Sequence, residues 1–182
     1  MKNLRNLLFT IGFLFFTSGC SIVQNRLSFD HYKEVKIYFT KSNKEKDVSF
    51  TPVKRKIPRG DSAVATSLHE LFLGPAKNEE LKGIMSEIPV GTRLINVEES
   101  DDEVLIDVSN QFITGGGAAT MQLRYLQIYK TLKTIVPEKK IYLQIDGKTI
   151  KTIGGEGIEI TQPLTKINDY TEKHEKTDNL QP

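Results

Sequence analysis

Met121, Tyr125, Ile128, Leu132 and Ile135 recur at i, i+4, i+7, i+11 and i+14. This stripe constrains the fold more than any other feature. Apolar residues at that spacing line one face of a helix, and that face must be buried against another element. Gly115-Gly116-Gly117 gives a flexible entry to the helix, and Pro137 lies just beyond its end. The segments on either side have a different period. Val104, Ile106 and Val108 alternate before it, and Ile141, Leu143 and Ile145 alternate after it. Period-two alternation is the mark of strands, so the helix is expected to lie on a sheet.

The rest of the chain extends this pattern. Val35, Ile37 and Phe39 alternate as a first strand, and Val48 to Val53 reads as a second, with Pro52 placing it at an edge or ending it. Lys54, Arg55, Lys56 and Arg59 follow as a basic extended stretch. Asp61 or Ser62 is a suitable cap for a helix with Val64, Leu68, Leu71 and Phe72 on one face, and Gly74-Pro75 stops it. Glu79 to Met85 is read as one or two further helical turns. Arg93 to Glu98 and Val104 to Val108 form a hairpin around Ser100, Asp101 and Asp102. Asp146-Gly147 is a tight-turn signal, with Ile150 and Ile153 on the return and Ile158 and Ile160 in a last short strand. Strands and helices alternate irregularly. The fold class this implies is α+β, an open, mostly antiparallel sheet with two main helices on one face.

The first residues are of another kind. Lys2 and Arg5 precede an apolar run from Leu7 to Phe16, which is half of the about 20 residues a helix needs to span a bilayer. Thr17-Ser18-Gly19 then supplies the small residues of a signal-peptide cleavage site. Thr17-Ser18-Gly19-Cys20 resembles a lipobox, where bacterial lipoprotein signal peptidase cuts before a lipidated cysteine; Thr17 departs from the usual Leu. Cys20 is the only cysteine of the 182 residues. The expected organisation is a lipoprotein signal peptide at 1–19, lipidated Cys20 with its spacer at 20–31, one domain at 32–166 and a disordered polar tail at 167–182. A ten-residue spacer reaches about 35 Å, which keeps the domain near the membrane.

Six segments carry a family resemblance. They are KIYF at Lys36 to Phe39, RKIP at Arg55 to Pro58, HELFLGP at His69 to Pro75 and SEIPVGTRLINV at Ser86 to Val97. VLIDVSNQF at Val104 to Phe112 and LQIDGKTIKTIGGEGIEITQPLT at Leu143 to Thr165 complete the set. In order and spacing they resemble the GerMN domain, the sporulation and spore germination domain, over about Val35 to Thr165. The resemblance implies a ring-building-like α+β module, found in envelope lipoproteins and without established catalytic residues. The best-known sporulation member carries two copies, and this chain carries one.

The chemistry legible in the residues agrees with a domain that is not an enzyme. Of three histidines only His69 falls within the fold, so a nucleophile site or a transition-metal site lacks its usual groups. No cofactor or metal is expected. Asp101, Asp102 and Glu103 are adjacent, where a calcium loop needs spaced oxygen ligands. No Lys or Ser/Thr follows Gly115-Gly116-Gly117 at phosphate-loop spacing, so the glycines read as a tight strand-to-helix turn. A net charge of +2 with 26% charged residues lacks the basic excess of a nucleic-acid binder.

The expected partners are the membrane, through the lipid, and envelope proteins or further copies of the chain. The alternative is a wall-associated protein that recognises peptidoglycan or an anionic wall polymer. Lys54, Arg55, Lys56 and Arg59 are the candidate interaction surface, since they could meet anionic heads or polymers. Equally, they could be the charges that keep an edge strand from aggregating. On either reading, charge reversal at Lys54, Arg55 and Lys56 is expected to leave folding intact.

Overall fold

The computed structural model describes residues 31–43, 47–153 and 158–165. Cys20, the expected signal peptide and the expected tail lie outside these residues, as does most of the expected spacer.

Alternation builds the first layer. β1 (Tyr32–Ser42) and β2 (Val48–Pro58) pair antiparallel along their full length, from Tyr32 opposite Pro58 to Ser42 opposite Val48. Val35, Ile37, Phe39 and Ile57 turn inward and are buried. β2 runs straight through Pro52, so the basic stretch is the second half of this strand. Proline is tolerated there because β2 is the outermost strand of its sheet.

α1 (Ala63–Leu73) starts at Ser62, whose Oγ accepts the Ala65 amide at 3.1 Å. Such a cap is worth about 1 kcal/mol. Val64, Leu68 and Leu71 are buried, and Gly74, at φ 84°, ends the helix. The turns expected over Glu79 to Met85 fall elsewhere. α2 (Lys77–Glu80) is a single turn, and Gly83, at φ 79°, breaks away from it. Ile84–Met85 is then a short strand, β3, that pairs antiparallel with β1. The β-branched Ile84 buries its side chain there, which a solvent-exposed helical turn would not allow.

β4 (Leu94–Glu99) and β5 (Glu103–Val108) form the expected hairpin. A 3-10 turn over Asn110–Ile113 leads into α3 (Ala118–Lys133), which carries the chain back to β6 (Lys140–Ile145). β5 and β6 are therefore parallel, since a crossover helix returns the chain in the same direction. Asp146 (φ 47°) and Gly147 (φ 74°) turn tightly into β7 (Lys148–Thr149), as their sequence signals. β8 (Thr152–Ile153) and β9 (Ile158–Glu159) pair with each other.

The class is α+β with open, mostly antiparallel pairing and two main helices. The strands divide into sheets of order β2-β1-β3 and β4-β5-β6-β7, with β8-β9 separate. One core cluster joins the inner faces of β1, β5 and β6 to α1 and α3. Met121, Tyr125, Ile128 and Leu132 all lie in it, and Ile135, just past the helix, packs against it. α3 also buries Arg124, Gln127 and Thr131, polar residues that the apolar stripe does not foretell.

Candidate functional site

The four basic residues of β2 and its end do not form one surface. Strand alternation splits them. Lys54 and Lys56 lie exposed on the outer face, and Arg55 takes the side of Val53 and Ile57. Lys54 Nζ meets Glu34 Oε1 at 2.8 Å in the open, and this bond raises the lysine above its usual value. Arg55 grips Glu79 with both ends of its guanidinium, at 2.7 and 2.6 Å, and its Nε lies 3.4 Å from Glu70. Its carbon centre stands 5.9 Å from the Phe39 ring centroid. The bond from Arg55 holds the Glu79 carboxyl below its usual range, and Glu79 also accepts the Ala76 amide at 2.7 Å. Arg55 is thus a tie between β2, α1 and α2, with only 17% of its side chain exposed. Arg59 turns back to donate from Nε to the Tyr32 carbonyl at 3.1 Å. The signal that separates Arg55 was present in the sequence, as its parity with Val53 and Ile57.

The inner edge of β1 is closed by a helix. The Tyr38 amide donates to Thr131 Oγ1 at 3.0 Å, Gln127 Nε2 donates to the Tyr38 carbonyl at 3.2 Å, and Thr134 Oγ1 donates to the Lys36 carbonyl at 3.4 Å. This explains the burial of Gln127 and Thr131 on α3: they stand in for a neighbouring strand. It also fixes the phase of the hairpin. Even-numbered β1 residues point to α3, so their partners on β2 point to the outer edge. Two of those partners are prolines, Pro52 opposite Tyr38 and Pro58 opposite Tyr32. Neither has an amide hydrogen to offer an incoming strand.

The other long outer strand is β4. α1 runs beside it, with Ser62 Oγ bonded to Glu99 Oε1 at 3.1 Å at one end. Toward the other end the two elements part and frame a groove of about 810 Å³, lined by His69, Phe72, Leu73, Val90, Arg93 and Leu94 among others. The groove's rim is apolar and wet: Leu73 is 67% exposed and Val90 94%. Val90 is held out by a β-turn in which the Thr92 amide bonds the Pro89 carbonyl at 3.1 Å. Gly91, at φ 88°, takes the third position of that turn, where a side chain would be strained. Ile95, also half exposed, follows on β4. Sequence patterning missed this groove because Leu73, Val90 and Leu94 come from a helix, a turn and a strand with no shared period.

Of the remaining candidates, the glycine loop and Asp107 have structural roles. Gly115 and Gly116 sit at φ 65° and 81°, and a Cβ on Gly116 would lie 2.8 Å from Thr120 Cγ2. The buried Arg124 closes this loop by donating to the carbonyls of Glu87 (2.7 Å), Phe112 (2.9 Å) and Thr114 (3.1 Å). Burial holds its guanidinium below the usual arginine value. Asp101, Asp102 and Glu103 are exposed at the β4-β5 turn. Asp107 accepts the Gly147 amide on both carboxylate oxygens, at 3.0 and 2.9 Å, and fixes the next turn. His69 is exposed on α1. Among the described residues no three His, Cys, Asp or Glu side chains are grouped to hold a metal ion.

Comparison with known proteins places this geometry. The family model for sporulation and spore germination, Germane, matches residues 36–151. The first GerMN domain of the sporulation protein GerM from Bacillus subtilis superposes with a TM-score of 0.59 at 20% identity, covering 74% of this chain and 98% of that one. The tandem GerMN domains of the same protein give a TM-score of 0.55 at 17% identity, over 76% of this chain and 48% of theirs. No curated protein sequence matched.

Proposed function

The chain belongs to the sporulation and spore germination family, and from that premise we propose that its domain is a non-enzymatic interaction module of the cell envelope. It works at the extracytoplasmic membrane face, held there by lipid on Cys20, and joins other envelope proteins or further copies of itself during sporulation or germination. The observation that carries this reading is the apolar rim of the α1-β4 groove. Leu73 and Val90 stand in water without helping the core. Clustered exposed apolar residues mark surfaces meant to be covered.

A second reading has its own support. Lys36 lies directly opposite Lys54 on the outer face of the β1-β2 hairpin, with Lys56 beside them. Like charges facing each other across a ladder are unfavourable, and Glu34, bonded to Lys54 and opposite Lys56, offsets only part of the positive charge. An anionic wall polymer would offset the rest.

Cross-linking in intact envelopes, followed by muramidase digestion, separates the readings. The protein-assembly reading expects a cross-linked protein adduct that survives digestion. Capture that vanishes with the glycan supports the polymer reading. Cleavage of wall material by the purified chain overturns both. Intact mass of the membrane-extracted protein tests the anchor: a mature chain beginning at acylated Cys20 is expected, and an unmodified Cys20 contradicts it.

A further inference from the structure

Both edges of the β4 peptide chain are decided by one hydrogen bond. The Ser100 amide donates to the Glu103 carbonyl at 2.9 Å, so Glu98 and Asn96, opposite Leu105 and Asp107, also bond to β5. Val97 and Glu99 then turn their amides and carbonyls outward. Leu94 does the same beyond the bulge that lies between it and Asn96. None of these outward backbone groups has a partner among the described residues. No proline interrupts the strand.

From this geometry we propose that the α1-β4 groove binds an extended polypeptide segment of a partner protein, added as a fifth strand beside β4. The proposal deepens the interaction reading above and rests on it. Main-chain bonds to Leu94 and Val97, on the side where α1 and β4 part, supply the affinity, and alternate side chains of the added strand enter the groove. Phe72, Leu73, Val90 and Leu94 make the groove's wall, so those side chains are apolar. Charge sets the direction. At the open end the Arg93 guanidinium has no acidic partner among the described residues, and His69 lines the same end. At the closed end Glu99 is already engaged by Ser62 and by Lys139 Nζ at 3.3 Å. The segment therefore carries an acidic group that lies at Arg93. The outer edge of β2 does not compete, because Pro52 and Pro58 interrupt its donors.

The test uses the full chain in detergent micelles and a synthetic acetylated hexapeptide, Asp-Val-Thr-Val-Thr-Val amide, with amide hydrogen exchange as the readout. Strand addition predicts slowed exchange at Leu94 and Val97, with Asn96 and Glu98 unchanged because β5 already holds them. Replacing the peptide's Asp by Lys, or the chain's Arg93→Glu, should weaken binding about two- to five-fold, as an exposed ion pair does. Combining those two replacements should restore it. Leu73→Ser with Val90→Ser should abolish the protection, while a melting curve reports that the domain stays folded. Protection that falls on β2, or uniform protection that ignores the alternation, overturns the proposal. So does binding that is indifferent to the Arg93 charge. If β4 stays unprotected while envelope cross-links to protein persist, this site is wrong and the interaction reading stands.

Discussion

β2 and β4 are both outermost strands, yet they meet water in opposite ways. β2 presents prolines at two of its outward positions, and lysines cover its outer face. Its one inward cation, Arg55, is locked to Glu79 and Glu70. These are the usual devices by which a protein keeps a sheet edge from pairing with another chain. β4 has neither the prolines nor the lysines, and its bulge lies at one end, between Leu94 and Asn96. It leaves backbone donors open beside a groove with apolar residues at its rim. A basic stretch draws attention in a sequence because charges are conspicuous, but here it marks the closed edge. The open edge is written in ordinary residues.

The largest effect expected from mutation falls on both edges alike. Leu132 is fully buried in the core cluster that underlies both hairpins. Leu132→Ala should lower unfolding free energy by about 2 to 5 kcal/mol, measured by denaturant titration. A loss well under 1 kcal/mol would mean that α3 does not carry the common core.

A smaller effect should be confined to one side. Arg55→Ala removes charged hydrogen bonds that tie β2 to α1 and α2, and should destabilise by about 1.5 to 3 kcal/mol. Exchange should then speed up at β2 amides and hold steady at β4. Equal acceleration on both strands would erase the distinction drawn here. The same tie gives a pH signature. Glu79 is held below its usual range in the folded chain, so its contribution is present above the unfolded carboxylate pKa. It is lost as pH falls through the lower, folded value. Melting temperature measured across that acid range should fall less steeply in Glu79→Gln than in the parent. A parallel fall would exclude the pair as a source of stability.

The smallest effect sharpens the contrast from the other direction. Lys54→Glu with Lys56→Glu changes only exposed residues and should shift stability by about 0.5 kcal/mol or less. A triple reversal that includes Arg55 should not be neutral, contrary to the expectation from charge alone, because it sets a carboxylate against Glu79. If the triple variant melted like the double one, the Arg55 tie would be unimportant.

Much of the fold was legible where period and punctuation agree. The Met121 to Leu132 stripe, the Ser62 cap, the Gly74 stop and the Asp146-Gly147 turn each have a local cause, and each appears where that cause puts it. Ile84–Met85 was not legible as a strand. Two residues have no period, and the pairing depends on a free stretch of β1 some forty positions away. Gln127 and Thr131 look like surface residues of a helix until Tyr38 is seen to need them. The α1-β4 groove was the hardest part to foresee. It exists only because a hairpin strand and a helix that share no local pattern lie side by side.

The central claim is that partners meet this domain at β4 and not at β2. Photo-cross-linking in living cells tests it most directly, with a photoreactive residue placed at Ile95 on β4 in one strain and at Lys56 on β2 in another. Both positions are exposed, so incorporation should leave the fold alone. A discrete protein adduct from position 95, with none from position 56, is the predicted result. An adduct from position 56 alone would contradict the account and return the basic edge to the centre of the interaction.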